Sequence, residues 1–252
     1  MSELKESTMT YAVIIAAAGQ SRRFSNNTSN DTTLGQTEWF GDNAVKKPYV
    51  KLLGKPIWLY STEKFARRMD VKQIILVVAP EDVSWFRDYF AVEIDKLLLM
   101  VISGGSERVD SVQKALNIVR NNIDYVVVHD AARPCVTDVQ INEVFKSAKQ
   151  HGAAILATPI VGTIKLIEDG IIKSTILRTG MWEAQTPQVF RRQILIDSYS
   201  KRNITDKIPT DDAELVEQAG FNVSIVPTDK SNLKITTQSD LKFAEAILAN
   251  KK

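Results

Sequence analysis

The 252-residue sequence contains a single cysteine, Cys135. One cysteine allows neither a disulfide framework nor a cysteine-based zinc site within the chain, and its rarity indicates a reducing compartment. The first ten residues lack the apolar core of a signal peptide and the Arg/Ser-rich character of a transit peptide. No later apolar run reaches the length of a membrane span. We therefore expect a cytoplasmic protein with no membrane partner.

An excess of charge of one sign is also missing. The 32 basic and 30 acidic residues give a net charge of +2, so we expect no broad nucleic-acid binding. Hydrophobic residues make up 44% and charged residues 25% of the chain, as is ordinary for a globular protein. This length fits one large α/β domain, or one domain with an appendage.

The first apolar stretch, residues 12–23 (AVIIAAAGQSRR), lacks both common glycine signatures for phosphates, G-x-G-x-x-G and G-x-x-x-x-G-K-[ST]. Its apolar run predicts a buried strand. The small residues Ala17–Gly19 then allow a ligand to contact the main chain, and Arg22 and Arg23 add donors that suit a polyphosphate. A buried strand that leads into a basic loop explains the stretch equally well.

The rest of the chain alternates strands with helices after a long polar loop. Strands are predicted at 73–79, 97–102, 125–129, 153–158, 223–226 and 233–235, and helices at 57–68, 81–90, 191–200, 211–219 and 239–248, with two more after Gly104–Ser106 and Thr137. This alternation predicts an α/β fold with a Rossmann-like, doubly wound and mainly parallel sheet. A hairpin at 163–173 interrupts it, and we predict that this hairpin is a projecting arm.

Three polar segments follow predicted strands: Gly19–Arg23, Gly104–Ser106 and Asp130–Arg133. If the strands are parallel, these segments share the ligand-binding edge of the sheet. Asp130 is there a candidate Mg²⁺ ligand, because Mg²⁺ usually takes one or two carboxylates and completes its shell with phosphates and water. The alternative is an aspartate that caps the following turn. Arg133 pairs with Asp130 or binds a substrate phosphate.

Four further features have two interpretations each. Gly104–Gly105 accommodates a flat base with Ser111 as a polar contact, or is a tight turn capped by Ser106, which the spacing alone favours. Lys47 contacts phosphate, or is a solvated lysine. Lys234 serves the site, or protects an edge strand from aggregation. Thr210–Asp212 is most simply a helix N-terminus.

Taken together, these residues resemble a known family. The matching segments are AAAG-x-x-RR (16–23), KPYVKLLGKPI (47–57), GG-x-ER-x-DSV (104–112), HDAARPC (129–135), WEAQTPQVF (182–190), TDDA (210–213) and NLKIT (232–236), with Thr163 and Arg178 between them. The chain resembles the 2-C-methyl-D-erythritol 4-phosphate cytidylyltransferases from about Tyr11 to Leu248, excepting the long loop. HDAARP with TPQ and a late N-x-K-x-T is a specific combination.

The resemblance implies transfer of CMP from CTP to methylerythritol phosphate, with release of pyrophosphate and Mg²⁺ as cofactor. It implies catalytic roles for Arg23, Lys47 and Lys234; contacts to CTP from Ala17, Ala18, Gly19, Gly105, Ser106, Ser111 and Asp130, the last also binding the metal; and contacts to the polyol phosphate from Arg133, Thr163, Arg178, Thr186 and Thr210. The phosphate nucleophile is already anionic near neutral pH, so no general base is required. Positioning and charge stabilisation then supply the catalysis.

The resemblance also implies the organisation of the chain as one nucleotidyltransferase domain over 1–252. A long loop insertion occupies about 24–46 and a dimerisation arm about 159–182. In the family this arm crosses to the partner subunit of a homodimer, so Thr163 and Arg178 would act in the partner's site. Lys46 stands where proline usually precedes the catalytic lysine, and the following YVKL assigns that role to Lys47.

Three alternatives remain at this point. A ribitol 5-phosphate cytidylyltransferase belongs to the same class, although such enzymes usually lack the HDAARP context. A nucleotide-binding module without turnover would use the long loop for a partner or for regulation. A nicotinamide dehydrogenase is disfavoured because its glycine fingerprint is absent.

Overall fold

The structure, a computed structural model, describes residues 9–19, 47–202 and 207–250. Arg22, Arg23 and the predicted loop at 24–46 lie outside the described residues, as does the side chain of Lys47. The strands are β1 (Tyr11–Ala16), β2 (Lys51–Leu52), β3 (Lys55–Pro56), β4 (Val71–Val78), β5 (Leu99–Ser103), β6 (Tyr125–Asp130), β7 (Ala153–Pro159), β8 (Ile164–Glu168), β9 (Ile171–Ile176), β10 (Trp182–Arg191) and β11 (Ser224–Pro227). The α-helices are α1 (Ile57–Ala66), α2 (Val83–Tyr89), α3 (Ala91–Leu97), α4 (Arg108–Leu116), α5 (Asp138–His151), α6 (Arg192–Ser200), α7 (Asp212–Gln218) and α8 (Gln238–Ala249).

Seven strands form the central sheet in the order β11-β7-β10-β6-β1-β4-β5. β1 pairs in parallel with β4 and β6, β4 with β5, and β7 with β11. β10 runs antiparallel between β6 and β7. The predicted Rossmann-like, mainly parallel sheet is therefore confirmed.

Helices cover both faces of this sheet, and the side chains of β1 show the alternation. Tyr11, Val13 and Ile15 pack into a core with residues of α1, α2 and α5. Ala12 and Ile14 point to the opposite face and pack with residues of α4, α6 and α7. Since successive strand residues face opposite sides, a strand that is apolar throughout must be covered by other elements on both faces of the sheet. This is the doubly wound arrangement that the apolar runs predicted.

The order of the strands reverses between β1 and β6. The chain passes from β1 outward to β4 and β5, and then returns to place β6 on the other side of β1. At the carboxyl end of this pair, Ala16 is in register with Asp130. Open α/β sheets bind ligands in the crevice at such a reversal, so the fold places Asp130 beside the expected crevice.

The predicted arm is also present, as a separate two-stranded antiparallel sheet of β8 and β9. Its turn contains Asp169 and Gly170, both with positive φ, as a tight type I′ hairpin turn requires. Several of its apolar side chains are exposed, including Ile171 at 68% and Leu177 at 76%. Such exposure of apolar groups is typical of a surface that contacts another protein.

Other sequence predictions were wrong. The predicted strand at 233–235 is irregular, because its main chain contacts the loop after β6 through Ile235 N and Ala132 O at 2.8 Å and joins no strand ladder. The helix predicted at 81–90 ends at Tyr89, and a second helix, α3, follows. β10 was not predicted, because its buried residues Gln185, Thr186 and Gln188 are polar and mask the apolar signal of a strand.

Among the helices of the described residues, none is long and apolar enough to cross a membrane.

The packing of β1 gives a stability prediction. Ile15 is fully buried in the core against α1, α2 and α5, so Ile15→Ala should lower the free energy of unfolding by about 2–5 kcal/mol. Val139→Ala on α5, where the side chain is 69% exposed, is the control and should change it by less than about 0.5 kcal/mol. Denaturant unfolding measures both, and equal effects would contradict the packing described.

Candidate functional site

Three cationic side chains surround the carboxylate of Asp130 at the carboxyl end of β6. Lys234 Nζ lies 2.7 Å from Oδ2, Arg108 Nε lies 3.2 Å from Oδ1, and Arg133 Nε lies 4.0 Å from Oδ2. The three side chains come from the segment before α8, from α4 and from the turn after β6. The fold thus joins residues that are up to 126 positions apart in sequence.

This charge cluster fixes the protonation state of Asp130. Burial alone would raise the pKa of its carboxyl group, but Arg108, Lys234 and Arg133 together hold that pKa well below its ordinary value. The turn after β6 is closed by a main-chain bond in which Arg133 N donates to Asp130 O at 3.0 Å. The side chain is therefore an anion that binds cations, and capping of the turn does not explain it.

Sequence reasoning missed Arg108, the first residue of α4. Its Nη1 donates to Asp212 Oδ2 at 2.7 Å, and the side chain of Asp212 is 1% exposed. Burial would lower the pKa of Arg108, whereas Asp212 and Asp130 raise it, so the guanidinium stays charged. Arg108 lies within the GG-x-ER-x-DSV segment, but its partner Asp212 is 104 residues away, so no local pattern connected the two.

The small residues after β1 meet the segment after β5, as the shared sheet edge predicted. A Cβ atom on Gly104 would lie 2.7 Å from Ala18 Cβ and 2.8 Å from Ser111 Oγ, so only glycine allows this approach. Gly105 N donates to Ser111 Oγ at 3.0 Å. Ala17 is buried, whereas Gly19 is exposed. Two main-chain segments with small side chains therefore lie close together at this edge of the sheet.

The cap of α4 differs from the sequence expectation. Glu107, and not Ser106, is the N-cap residue and forms a capping box with Asp110. Ser106 Oγ donates instead to Asp110 Oδ2 at 2.7 Å, and Arg202 Nη1 donates to Asp110 Oδ1 at the same distance. Asp110 thus holds the loop before α4 together with the segment after α6.

Behind Asp130, a buried polar network contains His129 and Thr186. Thr186 Oγ1 accepts from Asp130 N at 3.0 Å and lies 3.2 Å from His129 Nδ1. His129 Nε2 lies 3.3 Å from Arg133 O. Burial lowers the pKa of His129 to about 4, so the ring is neutral near pH 7. This network fixes the main chain on both sides of the carboxylate.

Lys234 reaches the site on an irregular segment that side chains hold in place. Asn232 Nδ2 donates to Gln185 Oε1 at 2.8 Å and to Thr186 O at 2.9 Å. Arg133 Nη1 donates to Asn232 O at 2.8 Å. The position of Lys234 therefore depends on β10 and on the turn after β6, and the interpretation as an edge-strand lysine fails because no strand is present.

The remaining predicted residues, Thr163, Arg178 and Thr210, are exposed, and the bonds of Thr210 and Arg178 are made with groups other than Asp130. Thr210 is exposed beside the N-terminus of α7, the helix start that was predicted at Thr210–Asp212, and Asp211 is its N-cap residue. The Thr210 hydroxyl donates to Glu214 at 2.9 Å. Thr163 and Arg178 lie on the exposed arm, where Arg178 donates to the carbonyl of Val161. No hydrogen bond joins these two arm residues to the Asp130 cluster within residues 47–202 and 207–250 of the chain.

A Rossmann-like sheet with small residues, a carboxylate and cationic side chains at its reversal defines a nucleotide-binding α/β protein of the nucleotidyltransferase class. Comparisons with known proteins give the family. The sequence profile described as 2-C-methyl-D-erythritol 4-phosphate cytidylyltransferase (IspD) matches residues 11–250. The chain therefore belongs to the 2-C-methyl-D-erythritol 4-phosphate cytidylyltransferase family.

Individual relatives agree with this assignment. The chain is 36% identical to the 2-C-methyl-D-erythritol 4-phosphate cytidylyltransferase of Bacillus licheniformis, over 97% of this chain and 98% of the relative. It is 33% identical to that of Clostridioides difficile, over 94% and 93%. The crystal structure of the Francisella tularensis enzyme aligns with a TM-score of 0.76 at 31% identity, over 94% of this chain and 99% of that one. The similarity thus covers nearly the whole chain in each protein.

The buried network gives a pH prediction. The pKa of His129 is about 4 in the folded chain and about 6.5 when unfolded, so the unfolded chain binds the extra proton between these values. The free energy of unfolding should therefore fall as the pH decreases from 6.5 toward 5, with this histidine contributing up to about 1.4 kcal/mol per pH unit. Urea unfolding at several pH values measures the slope.

The two histidines of the chain supply a variant and its control. His129→Gln should remove this part of the slope, whereas His151→Gln should keep it, since His151 is exposed at the end of α5. An unchanged slope in His129→Gln would show that another group causes the pH dependence.

Proposed function

We propose that the chain transfers the cytidylyl group of CTP to 2-C-methyl-D-erythritol 4-phosphate. A phosphate oxygen of the polyol attacks the α-phosphorus of CTP, the bond from that phosphorus to the β-phosphate oxygen breaks, and pyrophosphate leaves. Family membership supports the reaction. The observation that carries it in this chain is the Asp130 cluster at the sheet reversal, where three cations surround one carboxylate.

The cations would act on charge that develops during the transfer. Lys234 is placed beside Asp130 and would bind the α-phosphate, while Arg23 and Lys47 would hold the rest of the triphosphate. Negative charge grows on the leaving pyrophosphate, and preorganised cations stabilise it more strongly than water does. Ala17, Ala18, Gly19, Gly105, Ser106 and Ser111 would contact the CTP around its cytidine.

Magnesium fits the donor set at Asp130. Within the described residues no group of three or more His, Cys, Asp or Glu side chains could enclose a metal, and the Asp130 carboxylate is held ionised. Mg²⁺ suits such a site, because it binds through one or two carboxylates together with substrate phosphates. When bound, it would neutralise charge on the phosphate oxygens. Asp130 would bind the ion there once Lys234 has left the carboxylate and paired with the triphosphate.

The polyol phosphate would bind on the other side of the cluster. Arg133 Nε is buried and has no hydrogen-bond partner among the described residues. Thr210 is exposed and stands two residues before Asp212 in the sequence. Thr186, which the resemblance assigns to the polyol phosphate, is buried, so we propose that it acts through its contacts with Asp130 and His129. Thr163 and Arg178 would complete the partner's site in a homodimer, since they lie on an arm with exposed apolar side chains. The proposed location is the cytoplasm.

The test is a pyrophosphate-release assay with CTP, Mg²⁺ and a panel of polyol phosphates. Methylerythritol phosphate should support release and ribitol 5-phosphate should not. Release with ribitol 5-phosphate alone would favour the related cytidylyltransferase. Binding of CTP in a calorimeter without release from any polyol phosphate would favour a nucleotide-binding module and would contradict the proposal.

Arg23 and Lys47, whose side chains lie outside the described residues, give a catalytic prediction. Arg23→Ala and Lys47→Ala should each lower kcat/KM by about 100-fold or more, because each removes a cation from the triphosphate site, while the melting temperature changes little. Arg22→Ala and Lys46→Ala are the matched controls and should retain most of the activity. Near-normal activity in both Arg23→Ala and Lys47→Ala would show that the assignment is wrong.

The arm gives a prediction about subunits. If Arg178 acts in the partner's site, a mixed dimer of one Arg178→Ala and one Lys47→Ala protomer contains one intact site, although each homodimer has none. Random assembly of equal amounts should therefore restore about a quarter of the sites, because half of the two-fold dimers are mixed. Steady-state rates of the co-expressed variants measure this. Absence of restoration would place Arg178 in the site of its own chain.

A further inference from the structure

Arg108 connects two carboxylates that belong to different parts of the chain. Its Nε contacts Asp130 Oδ1 at 3.2 Å and its Nη1 contacts Asp212 Oδ2 at 2.7 Å. Tyr199 donates its hydroxyl proton to Asp212 Oδ1 at 2.6 Å. A continuous series of bonds thus runs from α6 through α7 and α4 to the end of β6.

The contact with Arg108 determines which oxygen of Asp130 can bind a ligand. Oδ1 is held by Arg108, so Oδ2 is the oxygen that faces Lys234 at 2.7 Å. A guanidinium is suited to this task, because its planar donors reach two acceptors at fixed angles, which an ammonium cannot do. Without Arg108, Oδ1 would lose its cationic partner, and the carboxylate would be oriented only by Lys234 and Arg133, which both contact Oδ2.

We propose that Arg108 is a positioning residue for nucleotidyl transfer, because it holds one oxygen of Asp130 so that the other can exchange Lys234 for the magnesium–triphosphate. Asp212 holds Arg108 in position, and Tyr199 holds Asp212. This inference rests on the function proposed above, and it adds a residue that does not touch the reacting atoms.

A purely structural role is the alternative. Arg108 joins α4 to α7 through Asp212, and removal of one partner of a buried ion pair is destabilising because it leaves the other charge unpaired. Arg108→Met alone would therefore confuse loss of stability with loss of positioning. The double variant Arg108→Met with Asp212→Asn separates them, because it removes the unpaired carboxylate and keeps an acceptor for Tyr199.

The measurement is CTP binding by calorimetry over a series of Mg²⁺ concentrations, with the melting temperature of each variant beside it. Arg108→Met should melt lower than the unsubstituted chain, and the double variant should recover most of that loss. In both variants the Mg²⁺ concentration that gives half of the maximal CTP affinity should still rise by about 10-fold or more. Effects of this size are typical when a residue that orients a metal ligand is lost. Arg108→Lys should fall between them and the unsubstituted chain.

Arg202→Met is the matched control. Arg202 forms an equally short ion pair, at 2.7 Å, with Asp110 of α4, the helix that also contains Arg108. Within the described residues no ion pair joins Arg202 to Asp130. Its Mg²⁺ requirement should equal that of the unsubstituted chain. A double variant, or Arg108→Lys, that melts normally and binds CTP at the unsubstituted Mg²⁺ concentration would overturn the proposal.

The binding measurement also separates this inference from the proposed reaction. If the unsubstituted chain binds CTP with Mg²⁺ but releases no pyrophosphate, the reaction fails and the Mg²⁺ series still decides the role of Arg108. If the unsubstituted chain turns over and Arg108→Lys keeps its Mg²⁺ requirement, only the role of Arg108 is refuted.

Discussion

The buried carboxylate of Asp130 is the constraint on which this site depends. A charge removed from water is tolerated only when it is paired, and the cost of leaving it unpaired is several kcal/mol. Its partners Arg108, Arg133 and Lys234 come from three separate segments. Closing the fold around β6 and assembling the site are therefore the same event, because each segment that docks supplies a cation that the carboxylate requires.

The sheet determines where this carboxylate lies. Parallel strands must return over the sheet through helices, and the reversal between β1 and β6 leaves the carboxyl ends of both strands facing one crevice. Small residues are needed on that side: a side chain on Gly104 would collide with Ala18 and Ser111. The same edge therefore combines exposed main chain with concentrated charge, which is what a nucleotide with its phosphates requires.

Sequence patterns predicted part of this and missed part of it, for physical reasons. Strands β1, β4 and β6 are apolar on both faces, so their runs were visible, and Asp130 stood out as a charge after such a run. β10 could not be predicted from an apolar run, because several of its buried side chains are polar. These side chains bond to residues distant in sequence, as Gln185 does to Asn232. Arg108 was overlooked for the same reason, since only the folded chain brings it to Asp212. Lys234, a predicted site residue, lies beside Asp130 although its predicted strand does not exist.

The charge balance of the cluster explains how such a site can be stable before a ligand arrives and still bind it. Arg108, Arg133 and Lys234 face the carboxylates of Asp130 and Asp212, and the carboxylate of Glu183 also acts to raise the pKa of Arg133. Each cation of the cluster therefore has an acidic neighbour. Without ligand, Lys234 is paired with Asp130. In the proposed function, a triphosphate oxygen would offer Lys234 an equivalent anionic partner, and a divalent cation would offer Asp130 an equivalent positive one. Because each group would then exchange one ion pair for another, little pairing energy would be lost on binding.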